Sequence, residues 1–296
     1  MRASSREALS PLSVIIPSLN EGKQVETMVR NIRDTVDLGN YEIIVVNSGG
    51  TDLSSVSNLP HVSVYETERE GAPQARNFGA RKARGKTLLF ADAHAEFGKG
   101  WGPKILSSCE KVNGILTPCI TMMGDEDSRG CGFIWKNIQM EIDWLPDLKP
   151  QIHEVPFACA CCMAMKKKAF DDIGGFDSGT RFWGSEDSEL SMRAWLMGYQ
   201  VMCDPSIRVG HGFREEHPYH IAWFDEVYNK VRFAFSHFSE RRLENFLRGN
   251  AAVPTFLDVL LEVQKSNVFQ RRRKLFKTRT RSDDWFFEKF AMKGWS

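Results

Sequence analysis

Two hydrophobic periods alternate along the first hundred residues. Leu12-Ser13-Val14-Ile15-Ile16-Pro17 is a β-branched run that predicts a first strand, ended by Pro17, which cannot donate to a ladder. After the polar turn Ser18-Leu19-Asn20-Glu21-Gly22, the positions Val25, Met28, Val29, Ile32 and Val36 recur at helical spacing. Residues 41–46 predict a second strand closing on the polar turn Asn47-Ser48-Gly49-Gly50-Thr51-Asp52, and residues 62–66 alternate as a third. Pro73 sits where proline favours a helix start, and Ala75, Gly79 and Ala83 place small residues four apart, so that this helix can lie close on a sheet. Gly85 stops it and Thr87-Leu88-Leu89-Phe90-Ala91 reads as a short buried strand. Strand, helix, strand, strand, helix, strand is the order of an α/β domain with a mostly parallel sheet.

The remainder is less regular. Residues 101–112 predict a helix and Gly114 begins a strand. Residues 122–154 fit neither period and read as a long loop of the functional kind. Residues 157–165 are apolar and cysteine-rich, as in a core strand. Short helices follow at 167–173 and 188–197, the second ended by Gly198, and a longer one at 220–235 turns Phe224, Val227, Tyr228 and Val231 inward. A helix at 256–263 follows Pro254. The pattern divides the chain into a disordered leader at 1–11, a domain at 12–235 with halves of about 12–100 and 101–235, and a helical extension at 236–296 rich in arginine and aromatic residues.

Composition narrows the class. The 39 Lys and Arg balance 38 Asp and Glu, so no global field calls for nucleic acid, and no partner of that kind is expected. No run of about 18 apolar residues exists, so no transmembrane segment is expected, and the start carries no signal-peptide pattern. The odd number of cysteines, seven, fits reduced thiols and a cytoplasmic setting. Cys159, Cys161 and Cys162 cluster without a second pair at zinc-site spacing, which favours a buried strand over a metal site. Arg271-Arg272-Arg273-Lys274 reads as the solvated face of a helix, with contact to anionic lipid or RNA as the sharper alternative.

Chemistry concentrates at three places. Asp92 ends the Thr87 strand and His94 follows two residues later, a carboxylate and an imidazole that suit a borderline divalent ion such as Mn²⁺, unless Asp92 merely caps the loop. His211 lies in Arg208-Val209-Gly210-His211-Gly212-Phe213-Arg214, where it is either a third ligand or a surface histidine; Arg214 and Tyr219 suit phosphate oxygens. Trp183-Gly184-Ser185-Glu186-Asp187 places acids at a helix start, for capping or for catalysis.

Together these stretches resemble a nucleotide-sugar glycosyltransferase of the GT-A fold. The front half is similar to the family-two glycosyltransferases, through Val14-Ile15-Ile16-Pro17-Ser18-Leu19-Asn20-Glu21 and Ala75-Arg76-Asn77-Phe78-Gly79. The back half resembles the polypeptide N-acetylgalactosaminyltransferases, which share Arg-Glu-Gly (Arg69), Asp-x-His (Asp92), Trp-Gly-x-Glu (Trp183) and Val-Gly-His-x-Phe-Arg with His-Pro-Tyr (Val209 to Tyr219), in this order. The resemblance implies that Asp92, His94 and His211 hold Mn²⁺ or another divalent cation. It implies that Pro17, Asn20, Glu21, Asn47, Arg69, Arg76, Asp92, Arg214 and Tyr219 serve the nucleotide sugar, and that Trp183, Glu186 and Asp187 stand at the transferred sugar.

The implied donor is a UDP-sugar and the acceptor a hydroxyl or thiol of a peptide, a saccharide or a small molecule. A sugar-nucleotide-binding protein without turnover is the alternative. Departures matter too. Asn47-Ser48 replaces the families' Asp-Asp pair, so the amide could donate where a carboxylate accepts. Ala160 and Cys161 replace a Gly-Gly pair against the sugar. Asp187 stands where the N-acetylgalactosaminyltransferases, which retain configuration, have Asn; an acid there tilts the expectation toward inversion. The membrane anchor and lectin domain of those enzymes have no counterpart here, which suggests a bacterial, cytosolic catalytic domain. The C-terminal extension is expected to shape the acceptor site or a homo-oligomer contact.

Overall fold

The computed structural model describes residues 11–147, 149–214, 218–292, 294 and 295; the expected leader falls on residues 1–10, outside them. The front half runs β1 (Leu12–Ser18), α1 (Gly22–Thr35), β2 (Glu42–Asn47), a one-turn α2 (Ser54–Ser57), β3 (Val62–Glu66), α3 (Ala72–Lys82), β4 (Thr87–Ala91) and β5 (Ala95–Phe97). Then come α4 (Trp101–Lys111), β6 (Gly114–Met122), β7 (Asp125–Gly130), β8 (Phe133–Trp135), β9 (Ile142–Trp144), β10 (His153–Glu154), β11 (Cys162–Lys166), α5 (Lys167–Ile173), α6 (Glu186–Leu196) and β12 (Gln200–His211). Five helices close the chain: α7 (Trp223–His237), α8 (Glu240–Asn250), α9 (Phe256–Lys265), α10 (Val268–Thr278) and α11 (Asp283–Lys289).

The main sheet runs β10-β12-β6-β11-β4-β1-β2-β3, with β5 on β12 and β7 on β6. β3, β2, β1 and β4 are parallel, as the alternation predicts, while β11 enters antiparallel between β4 and β6. The inward stripe of α1 is Val25, Met28, Val29 and Ile32, all buried. Gly79 of α3 lies against β1 so tightly that a Cβ there would come within 2.4 Å of Ile15 Cγ2, which is the close approach the small-residue spacing implies.

Four expectations are corrected. β1 continues through Pro17 to Ser18, because its pairing with β4 ends at Ile15; beyond that only β2 flanks it, and the missing N–H leaves no gap in a ladder. The strand expected at 157–165 is only β11, and the stretch before it is a loop that reaches the cleft described below. The helix expected from His220 starts at Trp223. The fourth concerns the tail: Arg271 is half-buried and ion-paired, and Arg272 donates to the Phe235 and Phe238 carbonyls at 2.8 and 2.7 Å, so of the basic run only Arg273 and Lys274 face solvent.

The C-terminal helices belong to the same core as the sheet. Trp135, Phe157, Phe233, Phe238, Phe286, Phe287 and Trp295 form one aromatic cluster. A buried ionic hub ties α6 to the tail. The Glu189 carboxylate accepts from Arg193 at 2.6 Å, from Arg271 at 2.5 Å and from His237 Nε2 at 2.8 Å, while Asp177 pairs with Arg232 at 2.8 Å and Arg271 at 3.1 Å. Burial alone would push both acids up, but the arginines around them hold each below its ordinary range.

Candidate active site

The carboxyl ends of β1, β4 and β12 open onto a cleft of about 530 Å³, the position where open α/β sheets collect ligands. Asp92 is the first residue past β4; its N–H is held by the Cys161 carbonyl at 2.9 Å. His211 is the last residue of β12, pairing with Ala95 of β5, so that Asp92, His94 and His211 meet although more than a hundred residues separate them. Their ligand atoms lie within 4.8 Å of one another. Asp92 Oδ2 stands 3.5 Å from His211 Nε2 and 4.0 Å from His94 Nε2.

The surroundings prepare these three groups as ligands. Glu21 Oε1 lies 3.0 Å from His94 Nδ1. A carboxylate there accepts, so Nδ1 carries the proton and Nε2 keeps its lone pair for the cleft. Both ring nitrogens of His211 are buried without a hydrogen-bond partner among the described residues, a costly state that a cation relieves at one of them. Burial would push the Asp92 carboxyl up, but the Arg76 guanidinium, His211 and His94 outweigh it and hold the group well below the usual carboxylate range. One oxygen and two nitrogen donors fit Mn²⁺ or a similar divalent ion.

Around the triad, Arg76 is fully buried and donates to Asp92 at 2.8 Å and to Glu186 at 2.9 Å, so it positions two acids, while its Nε stays buried without a partner among the described residues. Glu186 also accepts the Gly184 N–H at 2.8 Å. Gly184 has φ of 103° and Ser185 of 65°, left-handed positions that aim Trp183 and the start of α6 at the cleft. The Arg-Glu-Gly motif acts from beneath: a Cβ on Gly71 would come within 2.3 Å of the Phe182 carbonyl oxygen, so only glycine lets these two segments touch. Asp187 faces the cleft, accepting the Ser188 N–H at 2.7 Å. Burial and the Glu186 charge push its carboxyl up to about 7.

Arg214 Nη1 pairs with Glu21 at 2.5 Å, and its Nη2 is buried without a partner among the described residues. Tyr219 lines the same wall, edge-on to Phe182. Pro17 lines the cleft; Asn20, at φ 59°, is turned away and donates to the Pro218 carbonyl at 3.3 Å. Arg69 is exposed, with its guanidinium over the Phe182 ring, while Glu70 and Gly71 rather than Arg69 reach the cleft. Asn47 lies beneath Ser48. Its Nδ2 donates to Glu66 at 2.9 Å and to the Thr51 carbonyl at 2.8 Å, which fixes the amide and leaves Oδ1 as a buried acceptor without a partner among the described residues.

The structure adds residues that the sequence does not single out. Phe133, Trp135 and Met140 to Ile142, with Trp144, form one wall from the irregular stretch at 122–154, and Glu226 and Lys230 of α7 another. The first group carried a signal, a loop too long to be idle; the second carried none, since both residues sit on the polar face of an amphipathic helix. Ala160 and Cys161 line the floor, as the Gly-Gly alignment implies.

A mixed sheet with helices on its faces, a Rossmann-like parallel half and a metal-capable triad at the strand ends define the GT-A class of glycosyltransferase folds. Within that class the chain belongs to glycosyl transferase family 2, whose family model matches residues 13–174, and a model described as the N-terminal domain of galactosyltransferase matches residues 145–218. Polypeptide N-acetylgalactosaminyltransferase 8 of Drosophila melanogaster is 30% identical over 234 residues, 71% of this chain and 39% of the relative. Polypeptide N-acetylgalactosaminyltransferase 10 of Rattus norvegicus is 27% identical over 241 residues, 73% and 40% of the two chains. The chain thus spans about two fifths of the length of these relatives. They are animal proteins and lend no support to a bacterial setting. In fold, the chain is similar to GalNAc-T7 solved with UDP, GalNAc and Mn²⁺, at a TM-score of 0.77 and 23% identity over 96% of this chain and 57% of that one. It is also similar to a mannosyltransferase from Pyrobaculum calidifontis solved with GDP-Man and Mn²⁺, at 0.52 and 17%, over 97% and 77%. No helix among the described residues is long and apolar enough to cross a membrane.

Proposed function

We propose that the protein transfers a sugar from a UDP-sugar to a hydroxyl or thiol acceptor on a peptide, with a divalent metal, Mn²⁺ in the first instance, held by Asp92, His94 and His211. The observation that carries the reading is the convergence of these three side chains in one cleft, with Glu21 fixing the tautomer of His94. The bound ion supplies Lewis-acid stabilisation of the leaving diphosphate. Arg214 extends its unpartnered Nη2 toward the same charge, and Tyr219 stands beside it. Asn47 is buried behind Ser48 and does not line the cleft, so the base lies against Pro17, Leu19 and Ser48 instead. Trp183 covers the sugar, and Ala160 and Cys161 narrow its floor.

Asp187 takes the acceptor proton, its carboxyl poised near neutrality, which supports inversion of configuration. The named activity of the relatives and the apolar rim of Ile142, Trp144 and Phe213 support a peptide acceptor over a free saccharide. A panel of sugar nucleotides assayed for hydrolysis and thermal shift with and without Mn²⁺ tests the reading. A UDP-sugar should be turned over only with metal, and His94→Ala and His211→Ala should lose turnover while keeping the wild-type circular dichroism spectrum. Full activity of either variant in chelator-treated buffer would refute the metal role. Proton NMR of the fresh product reads the stereochemistry from the anomeric coupling.

A further inference from the structure

Away from the cleft, four side chains from four separate segments converge. Cys119 lies on β6, Cys203 on the neighbouring β12, Cys131 immediately after β7, and Asp147 three residues past β9. The sulfurs of Cys119 and Cys131 and a carboxylate oxygen of Asp147 lie within 4.8 Å of one another, and Cys203 contacts Cys131 through its thiol. The three cysteines are fully buried, and Asp147 is half-buried at the mouth. We propose that Cys119, Cys131, Cys203 and Asp147 form a structural zinc site that fastens the base of the β8–β9 hairpin to the main sheet.

Zinc is bound tetrahedrally by thiolates at about 2.3 Å and by carboxylates at about 2.0–2.2 Å, which places ligand atoms about 3.5–3.8 Å apart, so Cys119, Cys131 and Asp147 need to close by about an ångström, and Cys203, which reaches the group through Cys131, turns its thiol inward as the fourth ligand. Three sulfurs select zinc over the harder Mn²⁺ expected in the cleft. Arg208, whose charge acts on Cys119, offsets part of the negative charge of a three-thiolate, one-carboxylate shell. Binding displaces the three thiol protons to solvent, and the ion stays divalent throughout.

The location explains the use. Cys131 N–H donates to the Leu145 carbonyl at 2.8 Å and Leu145 N–H to Gly132 at 2.9 Å, so residues 131 and 145 are the two feet of the hairpin. The hairpin carries Phe133, Trp135, Ile142 and Trp144, the aromatic and apolar wall of the cleft, and forms its own two-stranded sheet. A cation at its feet would hold that wall in register with β6 and β12.

The test is metal analysis of the purified protein, then replacement by Co²⁺, whose thiolate charge-transfer band in the near ultraviolet cannot arise from the carboxylate and imidazoles of the cleft. One zinc per chain should survive dialysis, and the Co²⁺ form should show the band. Cys131→Ser should lose both, and Asp147→Asn, a change at the half-exposed mouth that spares the core, should weaken zinc retention at least about tenfold. In the Asp147→Asn protein, cleavage within residues 132–146 by a limiting protease should accelerate on adding chelator at a lower concentration than in the wild type. A Co²⁺ form without the band, zinc retention unchanged in both variants, or alkylation of only five of the seven cysteines under denaturing conditions would each overturn the proposal, the last in favour of a disulfide.

Discussion

The Asp187 carboxyl, raised to about 7, is charged in the unfolded chain from about pH 4 but in the native protein only near neutrality. Between those values the native state holds a proton that the unfolded state has released, so stability falls as pH rises through the window. Asp187→Asn should therefore raise Tm at pH 8 and leave it unchanged at pH 4, read by scanning calorimetry. The same substitution should cut turnover by about 10²–10⁴-fold and abolish a rise of kcat/KM through pH 7 that the wild type shows; a wild-type profile flat from pH 6 to 8 would deny Asp187 its role as base. Glu21 sets the tautomer of His94 and orients Arg214, so Glu21→Gln should weaken Mn²⁺ about 10–100-fold by isothermal titration. At this scale the meeting of the triad and the place of Asp187 at the cleft were legible, because these residues lie at strand ends or open a helix. Asn47's single orientation was not, since it depends on Glu66, nineteen residues away on the neighbouring strand β3. Nor was the engagement of Arg76 by two acids, one of them 110 residues distant.

Among the elements, periodicity located β1 to β4 and α1, α3 and α4 to within a residue or two, because each carries a full apolar stripe or a β-branched run. It failed between 122 and 154, where β7 to β10 are two to six residues long and no period can establish itself. Two glycines are contacts between elements, Gly79 as its small-residue spacing implies and Gly71 without such a signal. Gly71→Ala would drive a methyl into the Phe182 backbone, moving the Trp183 loop; we expect a large loss of donor affinity by titration with UDP, and a Tm lower than wild type. Gly79→Ala, which meets the side chain of Ile15, should destabilise by about 1–3 kcal/mol in denaturant without changing UDP affinity. Equal effects of the two on affinity would contradict the separation of framework from site.

Across the whole molecule, the α/β order gave away the fold class, while the tail's part in it stayed hidden. A run of arginines near a terminus has the look of surface charge; here its first two members complete hydrogen bonds inside the helical layer. Arg232→Met would leave Asp177 with a reduced set of partners in a dry setting and should cost about 3–5 kcal/mol, measured by urea unfolding, although the residue touches nothing in the cleft. A loss below 1 kcal/mol would show that Arg271 alone suffices for Asp177.

Glu189 stands two positions along α6 from Asp187, and three of its partners arrive from α6, α7 and α10. The closing helices and the acid at the cleft are thereby rungs of one ladder. Unfolding followed by tryptophan emission, whose reporters include Trp195, Trp285 and Trp295 among the closing helices and α6, should coincide with release of a fluorescent uridine nucleotide from the cleft, one melting event instead of two.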